Sequence, residues 1–454
     1  MKKICEKLWN NPVAIWCLIF ILINILFRAT GGANPASRYA TMRSMVEQSS
    51  FMIDSYKHWT VDWAQKPGGG TYSNKAPGPM FIGFPLFFII EKMTKNGRKK
   101  KLNDKGHRIN YVSSGPRVLM SLALQLIPFA LLCFHMIKKL DLKNLSLAQI
   151  NFLCLSLFFG TTISLLLNVY FGHGMTAIFL LLIFYGLQTE KPLLIGAGFG
   201  FALLCEYTVA LILPVLLISL LYQNKKDFRW VKNFFLGGII PGLLWAWYHF
   251  SSTGSLFQIP AQFQNPGFET VKHIKGSFAG MFHPYPNLEN LYHLLLGPIR
   301  GLLFTQPWVL FSLVAPILLI KKIREDNQTI VLFIFTYGSF LVLLLMNSMF
   351  DEWHSGWMVG PRYMSSIFPC IAMFIGMNYK SFSNHYLKLL WVGLICAISF
   401  RCLVYASTIL APDVPLWPYL MMKVTPKTSF RILVFITLLS LGFYRTKKIR
   451  LVNV

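Results

Sequence analysis

Long unbroken runs of apolar residues, rather than the alternation typical of half-exposed strands, recur along this chain of 454 residues. A helix needs about 20 apolar residues to cross the roughly 30 Å hydrocarbon core of a bilayer. The runs predict about twelve membrane-spanning helices, near residues 12–27, 117–137, 147–166, 172–188, 191–205, 207–222, 233–249, 303–320, 329–347, 364–378, 388–408 and 429–444. We therefore predict an all-α polytopic membrane protein.

One shorter apolar stretch, Met80 to Ile90, fits either a span or a helix that lies at the membrane surface. The charge of the loops decides between them, because cytoplasmic loops are enriched in Lys and Arg. With a surface helix, the short inner loops hold about 20 Lys and Arg residues and the short outer loops about 6. A spanning helix would reverse that bias, so the sequence predicts an interfacial helix.

The resulting topology is a single transmembrane domain over residues 1–454, with both ends expected on the inner side. Outer loops are expected at residues 30–116, which would carry the interfacial helices, at 250–302 and at 348–363. Almost all unusual polar residues fall in these loops or at the span ends that face them. A membrane protein does not need that concentration in order to fold, so it indicates function.

Composition agrees with a membrane protein. Hydrophobic residues make up 54% of the chain and charged residues 13%, whereas soluble domains carry about 25% charged residues. The same figures exclude a disordered chain. The eight cysteines lie mostly within or beside apolar runs, so we interpret them as core residues and not as a disulfide framework.

The formal net charge is +26, from 43 Lys and Arg residues against 17 Asp and Glu residues. In a soluble protein this excess would suggest nucleic acid as a partner. In a membrane protein, much of it belongs to cytoplasmic loops beside anionic lipid. We therefore expect membrane lipid and not nucleic acid as the partner of these charges.

Acidic residues are scarce, which makes each outer carboxylate a candidate for chemistry. Asp54 and Asp62 lie in the first outer loop among Arg, Lys and aromatic residues. Either could be a general base that activates an acceptor hydroxyl or amine, or could cap a short helix or pair with a nearby cation. Further along the loop, Pro77 and Pro79 flank a glycine and predict a rigid turn that holds Lys75 at the surface.

Two arginines stand at the mouths of spans. Arg300 ends the second outer loop and Arg362 ends the third. The planar guanidinium binds phosphate with a fixed geometry, although Arg, Trp and Tyr residues also anchor helices at membrane edges. The residues alone do not decide between phosphate binding and helix anchoring.

His173 and Glu206 lie at outer turns between spans. Such polar groups are more often satisfied structural residues than ligands. The chain has no HExxH pattern or other spaced metal motif, so we predict no protein-built zinc site and no cofactor. The sequence does not exclude the use of a divalent metal ion.

Taken together, these segments resemble the type C glycosyltransferase superfamily, specifically bacterial members related to protein O-mannosyltransferases and to the lipid A aminoarabinose transferase. The resemblance covers most of the chain and consists of short motifs in the family's order. They are residues 34–54 with Ser37-Arg38-Tyr39, Thr60-Val61-Asp62, residues 72–78, Phe171-Gly172-His173, Glu206-Tyr207, Arg300-Gly301-Leu302 and Gly360-Pro361-Arg362-Tyr363.

The resemblance implies transfer of a sugar from a polyprenyl-phosphate or polyprenyl-diphosphate donor, with inversion at the anomeric carbon. The acceptor would be an envelope glycan, lipid or protein, and the site would lie on the outer face of the bacterial cytoplasmic membrane. Asp62, or else Asp54, would be the catalytic base. The cations expected to bind the donor phosphate are Arg38, Lys75, Arg300 and Arg362. Residues expected to line the site are Asn34, Tyr72, His173, Glu206, Trp357 and Tyr363.

This chain also departs from the family pattern. Many relatives carry an acid directly after the first span, where this chain has Asn34, Ser37 and Arg38. Asn74 stands where Asp is common, and Met358 where Ser is common. These differences move the expected base further along the loop, and we favour Asp62 narrowly over Asp54.

A transporter or flippase of a lipid-linked sugar is the alternative from another class. Transporters place ionisable groups near the bilayer midplane and often contain repeated halves. Here the spans hold few charges, notably Arg401 and Arg431, and no repeat is visible. The polar residues gather at one face, which favours an enzyme.

Overall fold

The computed structural model describes residues 9–27, 32–66, 68–94, 114–140, 142, 144–223, 228–265, 282–350, 352–354, 360–406 and 415–452. These residues are mostly helical, which confirms the predicted fold class in its coarser form. The helices are α1 Pro12–Leu26, α2 Ala33–Gln48, α3 Gly78–Thr94, α4 Ser114–Ser121, α5 Ile127–Lys139, α6 Leu147–Phe158, α7 Ile163–Asn168, α8 Gly172–Gln188, α9 Pro192–Cys205, α10 Leu213–Tyr222, α11 Phe228–Thr253, α12 Leu288–Leu295, α13 Leu302–Thr305, α14 Pro307–Ser312, α15 Ala315–Leu318, α16 Ile320–Glu325, α17 Asn327–Phe333, α18 Ser339–Met349, α19 Arg362–Ser365, α20 Phe368–Met377, α21 Asn384–Ala406, α22 Leu416–Met422 and α23 Pro426–Val452.

Shorter elements complete the described fold. Single 3₁₀ turns occur at Asp54–Trp59, Tyr207–Ile212, Pro260–Phe263 and Tyr379–Ser381. One π-turn, Leu122–Leu126, joins α4 to α5, and another, Ile334–Gly338, joins α17 to α18. Strands β1 (Trp63–Gln65) and β2 (Thr71–Ser73) form an antiparallel hairpin in the first outer loop, in the register Trp63↔Ser73.

Several helices begin where the local sequence directs. The side chain of Asn11 accepts hydrogen bonds from the backbone of Val13 at 2.9 Å and Ala14 at 3.2 Å, and Pro12 occupies the first helical position of α1. Ser146 caps α6 in the same way, accepting from the backbone of Gln149 at 3.1 Å. Such caps satisfy backbone donors that have no partner inside the helix.

Four described helical stretches are long and apolar enough to cross a membrane, namely Gly115–Lys139, Asn327–Met349, Asn384–Val404 and Pro426–Ile449. Shorter apolar helices coincide with seven more of the predicted runs, and the run at 233–249 lies within α11. The chain is therefore membrane-embedded. The total of about twelve spans stays a prediction, as does the side of the membrane on which each loop lies.

Helices α9 and α11 approach each other closely through glycines. A β-carbon on Gly196 would overlap the carbonyl oxygen of Phe234, and one on Gly237 would lie 2.7 Å from the backbone nitrogen of Ala197. Small residues at such positions let helix backbones pack closely in a membrane, where no hydrophobic effect drives helices together.

The first outer loop packs on the helical bundle through an apolar cluster that is separate from, and smaller than, the main core between the helices. Its members include Tyr39, Met42, Phe51, Tyr72, Met80, Phe87, Tyr170 and Tyr248. The hydroxyl of Tyr170 donates to the carbonyl oxygen of Pro79 at 2.8 Å, and that of Tyr248 donates to the carbonyl oxygen of Ser73 at 3.1 Å. These contacts hold α2, α3 and the hairpin against the span ends.

We predict that Gly196→Ala lowers the stability of the protein, because the added methyl group overlaps backbone that cannot move alone. The expected cost is about 1–3 kcal/mol, visible as a lower melting temperature in detergent. Gly242→Ala on α11 is the matched control, because a β-carbon there meets nothing within 4 Å and alanine favours a helix. Equal melting temperatures for the two variants would show that the α9–α11 contact is not tight.

Candidate active site

Charged side chains from four distant parts of the chain meet where the first outer loop covers the ends of α8, α9 and α19. We call this group the ionic cluster. It consists of Arg38, Asp62, Lys75, His173, Glu206, Arg362 and Tyr363. Of the predicted site residues, these seven are brought together, and Asn34 adjoins them.

Asp62 and Lys75 form the central ion pair. A carboxylate oxygen of Asp62 lies 3.3 Å from the Lys75 ammonium, and the Asp62 side chain is 8% exposed. The Asp62 backbone is held at the same time, since its carbonyl oxygen accepts a hydrogen bond from Ser37 Oγ at 2.5 Å and its N–H donates to Thr60 Oγ1 at 2.9 Å.

Two serines tie the chain segments that carry the pair. Ser37 Oγ and Ser73 Oγ lie 2.6 Å apart, and Ser73 Oγ also accepts from the backbone N–H of Lys75 at 3.2 Å. Both serines are fully buried. The hydroxyls therefore link α2, the residues before β1 and the turn after β2.

Arg38 lies beneath the pair and is 1% exposed. One guanidinium nitrogen donates to the side chain of Asn34, and another lies 3.6 Å from a carboxylate oxygen of Glu206. A side chain at Gly172 would block this contact, because its β-carbon would overlap the Glu206 carboxylate and lie 2.7 Å from Arg38 Nη2. Glu206 thus lies at the N-terminus of α8, where a negative charge is favoured by the helix dipole.

Glu206 extends the cluster towards the third outer loop through His173. The distance from its carboxylate to His173 Nδ1 is 3.7 Å, and the rings of His173 and Tyr363 meet edge to face at 5.5 Å. Arg362 Nη2 donates to the hydroxyl of Tyr363 at 3.0 Å, and its guanidinium stands 5.5 Å from the ring centre of Phe171.

Electrostatics couples these groups. Burial lowers the pKa of Lys75, while Asp62 opposes that shift and Arg362 and Arg38 add to it. Burial also lowers the pKa of Arg38, opposed chiefly by Glu206. The pKa of Glu206 is raised by burial and lowered in turn by Arg38, Arg362 and Lys75. Glu206 therefore interacts with all three cations, and Asp62 interacts with Lys75 and Arg38.

Several buried polar atoms at the cluster have no hydrogen-bond partner within the described residues. They are Nε of Arg38, Nε of Arg362 and the side-chain oxygen of Asn74. Buried polar atoms are nearly always paired in proteins. Two donors and one acceptor are thus open to a polar ligand or to water.

Asp54 occupies a different place. It is exposed, and its carboxylate accepts from the backbone N–H of Thr71 at 3.1 Å. Its neighbour Tyr72 is buried in β2, where burial and then Asp54 raise the pKa of the phenol. Within the described part of the chain, the hydrogen bonds of Asp54 go to the backbone of Thr71 and not to the ionic cluster, so Asp54 caps a backbone turn.

Arg300 is fully buried beside the third outer loop. Its Nε donates to the carbonyl oxygen of His354 at 3.2 Å, and Nη1 donates to that of Ile299 at 3.1 Å. These bonds attach the end of the second outer loop to the third, and the described contacts do not bring Arg300 to Asp62 or Lys75. Trp357 lies outside the described residues.

Sequence reasoning missed three supporting residues. Ser37 and Ser73 were not assigned a role, although both belong to the motifs of the first loop. Gly172 appears in the sequence only as a member of the Phe171-Gly172-His173 motif, and its role is to leave space where a side chain would overlap Glu206. Across the part of the chain that the structure describes, no group of three or more His, Cys, Asp and Glu side chains is arranged to hold a metal ion.

No protein-family model matches the chain, and no curated protein matches it in sequence. Among solved structures, it is similar to apo ArnT from Cupriavidus metallidurans, with a TM-score of 0.46 and 13% identity, covering 96% of this chain and 76% of that chain.

It is also similar to the oligosaccharyltransferase of Archaeoglobus fulgidus. The apo form gives a TM-score of 0.42 at 12% identity, over 91% of this chain and 55% of that chain. The AglB complex with an inhibitory peptide and a dolichol-phosphate gives a TM-score of 0.42 at 11% identity, over 95% of this chain and 60% of that chain. ArnT and AglB belong to the superfamily that the sequence motifs resemble. At these scores, the similarity by itself assigns no activity to this chain.

We predict that Gly172→Ala separates Arg38 from Glu206, because the new methyl group takes the space between them. The melting temperature should fall by several degrees, which corresponds to about 1–3 kcal/mol. Gly32→Ala is the control, since a β-carbon there meets nothing within 4 Å. A Gly172→Ala variant as stable as the control would contradict the close approach of the two charges.

Proposed function

We propose that this chain is a membrane glycosyltransferase. It moves a sugar from a polyprenyl-phosphate donor to an acceptor of the cell envelope, with inversion at the anomeric carbon, on the outer face of the membrane. The observation that carries this proposal is the Asp62–Lys75 pair, in which a carboxylate lies beside an ammonium group. Arg38 interacts electrostatically with both members of the pair, and Arg362 interacts with Lys75.

In the proposed reaction, Asp62 accepts the proton of an acceptor hydroxyl or amine as that group attacks the anomeric carbon. The new bond forms on one face of the sugar, and the bond to the phosphate oxygen breaks on the other, which inverts the configuration. The electron pair of the broken bond stays on the polyprenyl phosphate. That group leaves as an anion, so no general acid is needed for its departure.

The cations of the cluster suit the departing phosphate. Lys75 supplies a point charge, and Arg38 and Arg362 supply planar donors, each with a buried Nε that lacks a partner in the described structure. Fixed donors stabilise developing charge best when they are already in position before the reaction. The Arg38–Glu206 contact and the Arg362–Tyr363 hydrogen bond provide that positioning.

Asp62 is preferred to Asp54 as the base because only Asp62 adjoins the cations. The carboxylate of Asp54 is occupied by the backbone of Thr71. Glu206 is the other carboxylate of the cluster, and its contacts with Arg38 and His173 suit a positioning residue.

We predict that Asp62→Asn reduces sugar transfer by about 100-fold or more, in the range of general-base contributions. Asp54→Asn is the matched comparison and should retain most activity. The measurement is mass spectrometry of envelope glycans from cells in which the chromosomal gene is deleted and one of the variants or the wild type is expressed instead.

Two results would argue against the assignment. Wild-type glycans with Asp62→Asn would remove Asp62 as the base, and loss with Asp54→Asn alone would transfer the role to Asp54. Vesicles that contain the protein and a labelled lipid-linked sugar test the class of activity, since movement of the lipid without covalent transfer would indicate a flippase.

The lowered pKa of Lys75 predicts a pH dependence. Lys75 loses its charge at a lower pH than an ordinary lysine, so donor binding should weaken as the pH rises through that lowered value. Lys75→Arg should extend activity to more alkaline pH, because a guanidinium keeps its proton. Rates in isolated membranes, measured from neutral to alkaline pH, test this point. Lys57→Arg, at a lysine that stands over the ring of Trp63, is the control and should leave the profile unchanged.

A further inference from the structure

A half-open groove of about 470 Å³ lies between α21 and α23, with α6 at its base. The residues that line it include Trp391, Ile395 and Cys402 of α21 and Ile432, Phe435 and Phe443 of α23. None of its lining residues belongs to the ionic cluster. The two helices run in opposite directions along it. Trp391 of α21 contacts Phe152 at the level where Thr446 of α23 contacts Asn151, whereas the earlier Phe435 of α23 contacts Phe159.

The wall is almost entirely hydrocarbon. The polar groups among its lining residues are the hydroxyl of Ser399, the thiol of Cys402 and the indole N–H of Trp391, which donates to the hydroxyl of Tyr379. A dry apolar cavity of about 150 Å³ accommodates one benzene molecule, so this groove has room for roughly 18 carbon atoms on the same scale. That is the size of one acyl chain.

One end of the groove is basic. Lys388 precedes Trp391 by one helical turn, and Lys447 follows Phe443 by one turn, so each lysine shares the face of its helix that lines the groove. Both lysines are exposed. Neither α21 nor α23 contains Asp or Glu, so no acid on these helices offsets the charge.

An aromatic residue marks the same level of the membrane. Arg445, two residues before Lys447, stands over the ring of Trp9 with 4.7 Å between guanidinium carbon and ring centre. Trp and Arg residues collect where hydrocarbon meets headgroups. The excess of Lys and Arg predicts that this level lies on the cytoplasmic side, opposite the outer loops.

We propose that this groove binds an anionic phospholipid of the inner leaflet. One acyl chain fills the groove between α21 and α23, and the headgroup phosphate is met by Lys388 and Lys447. The two lysines attract the anionic headgroup, and the apolar wall of the groove accommodates the acyl chain. The groove is separate from the proposed transferase site, and this proposal does not depend on the transferase activity.

The test is native mass spectrometry of the full-length protein in detergent, with added palmitoyl-oleoyl phosphatidylglycerol or palmitoyl-oleoyl phosphatidylcholine. We expect one phosphatidylglycerol per chain to bind roughly 10- to 30-fold more tightly than phosphatidylcholine, from about 1 kcal/mol for each lysine. The double variant Lys388→Gln/Lys447→Gln should reduce that preference to within about twofold.

The matched control is Lys321→Gln/Arg324→Gln, which removes two exposed charges of α16 at the same predicted side of the membrane and should leave the preference unchanged. Ser399→Trp fills the groove and should abolish the tight binding of phosphatidylglycerol. The lysine variant leaves the apolar wall intact, so it tests the headgroup contact even where Ser399→Trp fails to fold.

Three results would overturn the proposal. The first is equal binding of the two lipids by the wild type, and the second is an unchanged preference in the double lysine variant. The third is displacement of phosphatidylglycerol by an equal concentration of undecaprenyl phosphate, which would assign the groove to a polyprenyl chain.

Discussion

The contact between Arg38 and Glu206 is the constraint on which the outer part of the structure depends. A charge taken out of water is costly unless it is paired and hydrogen-bonded, and the Arg38 side chain is 1% exposed. Its partner comes from a turn far along the chain, after α9. The first outer loop can therefore bury α2 only where the bundle presents that carboxylate, which places the start of α2 against the turn after α9.

The pairing also explains why the site needs small residues and hydroxyls around it. Gly172 leaves the space in which the two charges meet, and the contact between Ser37 and Ser73 brings the segment with Asp62 against the segment with Lys75. Tyr39 and its neighbours in the apolar cluster pack against the same segments of the first outer loop. Removal of one partner would leave an uncompensated buried charge, which is more harmful than the absence of the whole pair.

Much of the candidate site could be anticipated from residue type and loop position. Scarce outer carboxylates identified Asp62, an arginine at a span mouth identified Arg362, and the family resemblance added Arg38; all three belong to the ionic cluster. Arg300 satisfied the same criteria, and its described hydrogen bonds go to backbone carbonyl oxygens of His354 and Ile299. Composition and loop position do not distinguish a cation that faces a cavity from one that bonds to backbone carbonyls.

The order of apolar residues is enough to predict a helical protein embedded in a membrane, because hydrocarbon accepts only long apolar stretches whose backbone hydrogen bonds are made within the helix. That property is local and can be read from consecutive residues. Asp54 and Asp62 are eight positions apart in similar sequence surroundings, and it is the three-dimensional packing that gives them different contacts. One carboxylate caps a turn and the other meets Lys75, and this difference depends on packing between segments that are remote along the chain.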